Sequence, residues 1–161
     1  MKKNDEYYSK PSENQNYPAW QKSASSAYTD PSKRTNIGDY IYNTDFSDTE
    51  NAVYVNSTGD VLFAARGTAN VGDATSTWGQ IVTSQLKTTD RYKREVELAE
   101  DVIQEYPNAN ITFTGHSLGG TIATLLAGKF KANVVAYNPG TSIVNELDGK
   151  PNSMITYKTY M

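Results

Sequence analysis

The feature that most constrains this fold is a serine flanked by glycines, between a short strand-like run and a long apolar run. The segment TGHSLGG at residues 114–120 directly follows the β-rich residues 111–113 and leads into the apolar residues 118–130. Gly115 and Gly119, two positions on either side of Ser117, leave room for a sharp corner in the backbone. The order of elements predicts a strand–turn–helix corner that pushes the Ser117 hydroxyl outward.

A serine at such a corner has the chemistry of a nucleophile. The backbone N–H of Leu118 would lie at the positive end of the following helix, where it can stabilise the oxyanion of a tetrahedral intermediate. Two other interpretations are weighed against this one. A serine that merely caps the helix does not explain three flanking glycines, and a phosphate-binding loop would need a Gly-x-Gly-x-x-Gly or Gly-Lys-Ser/Thr pattern that the segment lacks.

The rest of the pattern predicts an α/β fold. β-rich runs occupy residues 40–42, 53–55, 61–65, 111–113, 134–137 and 154–159, and apolar residues recur at helical spacing over 92–106, with Thr88, Thr89 or Asp90 available as N-cap. The turn-forming residues 56–60 predict an antiparallel hairpin at the N-terminal edge. Strands that then alternate with helices predict a mostly parallel sheet with helices on both faces.

Composition divides the chain into two parts. Residues 1–36 contain no Val, Ile, Leu or Phe, so this stretch buries too little apolar surface to offset its ordering entropy. It is predicted to be a polar, poorly ordered N-terminal arm that either lies on the domain or is disordered. Residues 37–161 are predicted to form the folded domain.

Several classes of protein are disfavoured by simple counts. The 161 residues include no cysteine and one histidine, His116, so thiol nucleophiles, disulfide scaffolds and His-cluster metal sites are not expected. A net charge of −3 gives no case for nucleic acid. No apolar run approaches the roughly 20 residues of a transmembrane helix. No signal peptide is visible, which together with the lack of cysteine favours a cytoplasmic location but leaves the compartment open.

Three segments together resemble the class 3 (fungal-type) lipases of the α/β-hydrolase superfamily. They are VLFAARGT at residues 61–68, TFTGHSLGGTIA at 112–123 and VVAYNP at 134–139, in the order and at the spacing typical of that family. The resemblance covers residues 37–161. It implies a serine esterase that hydrolyses lipid acyl esters such as triacylglycerol or phospholipid, with no metal or organic cofactor.

The resemblance also implies roles for individual residues. Ser117 matches the nucleophile, the Leu118 amide matches one oxyanion donor and Thr68 matches the second. Asp73 and Trp78 lie where the family has its acidic and lid positions, although Trp78 is equally compatible with a core residue.

The Asp and His that complete the family's catalytic triad have no matching position in this sequence, so relative to the family the chain is expected to be C-terminally incomplete. His116 is adjacent to Ser117 and should point to the opposite face, which favours a structural role. Three interpretations stay open: one part of a lipase whose Asp and His are lost or come from a second polypeptide, a non-catalytic relative that binds lipid or ester ligands, and a feeble esterase that relies on its oxyanion hole.

Overall fold

The computed structural model describes residues 17–67, 86–137 and 149–157. Within them lie three α-helices, α1 (Tyr17–Ser26), α2 (Asp90–Glu105) and α3 (Leu118–Phe130), and a short 3-10 turn, Pro31–Lys33. The six strands are β1 (Ile41–Tyr42), β2 (Asn51–Val55), β3 (Asp60–Ala65), β4 (Asn110–His116), β5 (Asn133–Tyr137) and β6 (Ser153–Tyr157).

The six strands form one sheet in the order in which they occur along the chain. β1, β2 and β3 pair antiparallel, whereas β3, β4, β5 and β6 pair parallel to one another. The mostly parallel sheet with an antiparallel N-terminal edge is therefore confirmed. Because the four parallel strands run the same way, their carboxyl ends meet at one edge, where ligands bind in open α/β sheets.

Helices cover both faces of this sheet, also as predicted. On one face α2 and α3 pack over a core that includes Phe63 and Phe113, whose ring centroids are 5.1 Å apart. α3 is buried over nearly its whole length, which its uniformly apolar sequence predicts. α2 is amphipathic. Of the three candidate caps Thr89 is its N-cap, and the Thr89 side chain accepts a hydrogen bond from the backbone N–H of Tyr92.

The opposite face is covered by α1, which belongs to the stretch predicted to be a polar arm. Residues 17–36 are folded against the sheet, whereas residues 1–16 lie outside the described part of the chain. Ala24 packs with Tyr137 and Tyr157, and Ala27 packs with Tyr54 and other residues of β2 and β3. Because alanine side chains are small, this segment approaches the tyrosines closely. The large apolar side chains in these contacts belong to the sheet, so the composition of residues 1–36 does not indicate them.

None of the helices described here has the length and apolar character needed to span a bilayer.

Candidate active site

The predicted corner after β4 is present in the structure. β4 ends at His116, α3 begins at Leu118, and Ser117 alone makes the turn between them. Ser117 has φ 54° and ψ −119°, and it is one of two non-glycine residues with positive φ among those the structure describes. The corner is anchored to the sheet because the Ser117 N–H donates to the carbonyl of Tyr137 at 2.9 Å.

The glycines around Ser117 are required because the backbone packs too closely for side chains. A Cβ on Gly115 would lie 2.7 Å from the carbonyl oxygen of Ala65 and closer still to the backbone of Gly119. A Cβ on Gly119 would overlap that same Ala65 carbonyl. The corner can therefore lie directly against the end of β3 only if these positions lack side chains.

The Ser117 side chain is partly exposed and does not cap α3. Within the described ranges it has no hydrogen-bond partner, whereas a capping serine would accept from an N–H in the first helical turn. The first turn of α3 also contains no acidic residue to offset the positive end of the helix dipole. The N–H of Leu118, the first helical residue, has no acceptor within the helix.

The end of β3 lies beside this corner. Ala65 pairs with Gly115 in the parallel register, which brings the following residues, Arg66 and Gly67, next to the turn. A Cβ on Gly67 would lie 3.0 Å from the carbonyl oxygen of His116 and 3.4 Å from the nitrogen of Gly119.

His116 is buried in a stack of aromatic rings on the face of the sheet that α1 covers. Its ring stacks on Tyr137 with centroids 4.9 Å apart, and Tyr137 stacks on Tyr157 at 5.4 Å. Burial lowers the pKa of His116, which favours the neutral imidazole at neutral pH. The arrangement agrees with the structural role that was predicted for this histidine.

Several residues singled out in the sequence lie outside the described ranges, namely Thr68, Asp73, Trp78 and the NPG segment at 138–140. Of the three predicted site residues, the structure therefore describes Ser117 and Leu118. They are adjacent at the corner, and Gly67, the residue before Thr68, lies beside them. In the part of the chain covered by the structure, no cluster of three His, Asp or Glu side chains is arranged to hold a metal ion.

One residue near the corner was not predicted from the sequence. Tyr28, which follows α1, accepts a hydrogen bond from the Gly67 N–H at 3.0 Å and donates one to the His116 carbonyl at 3.4 Å. It thus bridges the ends of β3 and β4. No local pattern marks it, because it belongs to a stretch whose composition predicted disorder.

Sequence comparison identifies relatives over part of the chain. A protein named "Putative lipase ATG15" from Saccharomyces cerevisiae is 45% identical over 58 residues, which is 35% of this chain and 11% of the relative. The protein of the same name from Eremothecium gossypii is 33% identical over 81 residues, which is 45% of this chain and 15% of the relative. The alignments thus span only a small fraction of the length of these curated relatives.

Similar folds occur among solved structures. The Rhizomucor miehei lipase–propeptide complex matches with a TM-score of 0.56 and 15% identity, over 80% of this chain and 53% of that chain. A triacylglycerol lipase whose catalytic centre is described as a serine protease triad matches with a TM-score of 0.51 and 16% identity, over 73% of this chain and 58% of that chain. At sequence identities this low, the comparison shows a similarity of fold alone.

The family is established over most of the domain. The sequence model described as Lipase (class 3) matches residues 35–146, which is more than half of the chain and includes β1 to β5 and the corner. The mixed sheet and the lipase folds that resemble it agree with this match. The mixed sheet has the lipase type of α/β-hydrolase fold, and the chain belongs to the class 3 lipase family.

Proposed function

We propose that this chain carries the nucleophile and the oxyanion hole of a serine esterase acting on lipid acyl esters, with triacylglycerol or phospholipid as the substrate class. The observation that carries the proposal is the Ser117 corner. A serine held at positive φ, with a partly exposed hydroxyl that caps nothing, lies at the N-terminus of a buried helix. Membership of the class 3 lipase family supports the same chemistry.

In this mechanism the Ser117 oxygen attacks the ester carbonyl carbon while a base takes the hydroxyl proton. The carbonyl oxygen becomes an oxyanion, which the N–H of Leu118 and residue Thr68 stabilise. Collapse of the intermediate breaks the bond to the alcohol, which leaves with the proton, and the acyl group stays on Ser117. Water then releases the fatty acid by the same steps and restores the serine.

The base has to come from residues that this sequence does not contain. His116 is the only histidine, and its ring is buried in the stack with Tyr137. We propose that a histidine and its orienting carboxylate lie on further residues of the same protein or on a second polypeptide. Without them the oxyanion hole and substrate positioning alone leave about 10³–10⁴-fold catalysis over water, with roughly 10⁶-fold lost.

A fluorophosphonate probe tests whether Ser117 is a nucleophile. We expect the purified chain to label slowly at Ser117, and to label faster as imidazole is added to serve as the missing base. Peptide mapping by mass spectrometry locates the label. Ser117→Ala should abolish it, whereas Ser25→Ala, which removes an exposed hydroxyl on α1, should leave the labelling rate unchanged.

The second candidate function is non-catalytic binding of a lipid or ester ligand at the same corner. The observation that favours it is the stacked, buried position of His116. Absence of labelling at every imidazole concentration would support the binding function and contradict the esterase. Conversely, fast hydrolysis of p-nitrophenyl butyrate by the isolated chain, abolished by Ser117→Ala, would contradict the need for an external base.

A further inference from the structure

One peptide group at the end of β3 is held at both of its polar atoms by side chains from distant parts of the chain. The carbonyl oxygen of Arg66 accepts a hydrogen bond from Arg91 Nη2 at 2.7 Å, and the N–H of Gly67 donates to the Tyr28 hydroxyl at 3.0 Å. Both atoms belong to the same planar peptide unit. Fixing its two ends fixes the orientation of the plane.

We propose that Tyr28 and Arg91 are positioning residues that clamp this peptide against the Ser117 corner and so hold Ser117 and the oxyanion-binding N–H of Leu118 in place. The inference rests on the proposed function, since Ser117 and the Leu118 N–H are assigned to the nucleophile and the oxyanion hole there. Oxyanion donors contribute through preorganisation, so a donor that is free to rotate loses much of its effect on the transition state.

The Arg91 side of the clamp is itself rigidly supported. Arg91 Nε donates to Glu95 Oε1 at 2.8 Å and lies 3.4 Å from Glu50 Oε2. Glu95 is fully buried. The backbone of Glu50 also stabilises the end of β3, because its carbonyl accepts a hydrogen bond from the Arg66 N–H at 2.8 Å.

The Tyr28 side of the clamp links the strand end to the nucleophile. Its hydroxyl also donates to the carbonyl of His116 at 3.4 Å, directly before Ser117. Burial raises the pKa of Tyr28, which keeps the hydroxyl protonated and able to accept and donate at once. The residue as a whole is 42% exposed, so packing alone does not explain why its polar end is turned inward. Tyr28 also lies before the residues that the family model matches.

The test pairs each clamp residue with a matched control. Tyr28→Phe removes the acceptor of the Gly67 N–H, and Tyr40→Phe removes a hydroxyl from another partly buried tyrosine. Arg91→Lys keeps the positive charge but removes the guanidinium group that reaches the Arg66 carbonyl. Its control is Arg94→Lys, the same change one turn along the helix, where the side chain donates to Glu50 Oε1 at 3.0 Å. Arg91→Lys is preferred to an uncharged substitution because buried Glu95 keeps a cationic neighbour.

The first measurement is amide hydrogen exchange at Gly67 by NMR, which needs no activity. A lost hydrogen bond of about 1 kcal/mol corresponds to a roughly fivefold change, so we expect exchange at Gly67 to speed up about fivefold or more in Tyr28→Phe. The amide of Phe63, in the middle of β3, should be unchanged, and Tyr40→Phe should leave both amides unchanged. Equal Gly67 exchange in Tyr28→Phe and the native chain would overturn the clamp.

The second measurement is the slow, Ser117-dependent hydrolysis of p-nitrophenyl acetate at high protein concentration. Tyr28→Phe and Arg91→Lys should each lower kcat about fivefold or more with KM nearly unchanged, because an oxyanion donor acts in the transition state. Their effects should be less than additive, since both act on one peptide. An unchanged kcat would overturn the positioning role. If hydrolysis does not depend on Ser117 at all, the proposed function fails, and the exchange result alone decides the clamp.

Discussion

Ser117 occupies a backbone conformation that residues with a side chain rarely adopt, with φ 54° and ψ −119°. Such conformations cost about 1–3 kcal/mol and persist where the surrounding structure enforces them. Here Gly115 and Gly119 pack against the end of β3, and the Ser117 N–H is bonded to Tyr137. The strain is thus imposed by the packing of three strands and a helix around one residue, whose side chain does not cap the helix.

A comparison of two substitutions measures this strain. Ser117→Gly and Ser117→Ala both remove the hydroxyl, but only glycine adopts positive φ without a steric penalty. Glycine also gives the unfolded chain more conformational entropy, which lowers the stability of the glycine variant by about 0.5–1 kcal/mol. Because the relief of strain outweighs this loss, we expect Ser117→Gly to be more stable than Ser117→Ala by about 0.5–2 kcal/mol. Urea denaturation of both variants measures the difference. A glycine variant no more stable than the alanine variant would contradict stored strain at the corner.

At the scale of elements, the sequence predicted those whose burial depends on large apolar side chains. α3 was predicted at residues 118–130 and is found there, because an uninterrupted apolar helix next to a glycine-rich turn has few alternatives. The corner residues Ser117 and Leu118 could be found for the same reason. α1 could not be predicted, since Ala24 within it and Ala27 just after it pack against tyrosines of the sheet. Tyr28 was missed along with it, because its partners are backbone atoms far away in sequence.

α2 contains a charged group whose environment sets how stability depends on pH. Burial raises the pKa of Glu95 to about 7, against the opposing influence of Arg91. The unfolded chain therefore loses this proton near pH 4.5 while the folded chain keeps it until about pH 7. Between these values the folded state binds more protons, so the free energy of unfolding falls as pH rises, and it becomes level again above the folded pKa.

The fall in stability from this residue should be on the order of 3 kcal/mol between pH 4.5 and 7. We expect Glu95→Gln to lack this fall, because the amide does not titrate. Glu97→Gln, an exposed change on the same helix, should retain it. Urea denaturation at several pH values measures the three proteins. Parallel pH profiles for the native chain and Glu95→Gln would show that Glu95 does not titrate in this range.

At the scale of the whole molecule, the N-terminal residues complete the domain. Phe63 and Phe113 belong to the core under α2 and α3, whereas Tyr54 and Tyr137 face α1 on the other side. A sheet of this kind needs both faces covered. The same N-terminal stretch supplies Tyr28 to the strand ends beside Ser117. Coverage of the second face and support of the candidate site therefore come from one segment that precedes the family match.

Arg34 holds this segment to the sheet. Its guanidinium is buried and donates hydrogen bonds to the backbone carbonyls of Ser26, Ala27, Thr29, Asp48 and Asn51 and to the hydroxyl of Tyr42, at 2.7–3.3 Å. These acceptors belong to α1, to the residues after it and to the segments around β1 and β2. Removing the guanidinium takes one donor from each of five carbonyls, and the contacts to Ala27 and Asn51 are buried. A buried carbonyl left without a donor costs about 1–3 kcal/mol.

We therefore expect Arg34→Lys to lower the free energy of unfolding by about 2–4 kcal/mol, because one ammonium cannot reach acceptors in so many directions. Arg94→Lys is the matched control, since its side chain is 57% exposed and its ion pair contributes little. Urea denaturation followed by circular dichroism gives both values, and limited proteolysis shows whether α1 detaches first. A loss below about 0.5 kcal/mol in Arg34→Lys, the range of an ordinary surface change, would mean that the other contacts of α1 suffice to hold it on the sheet.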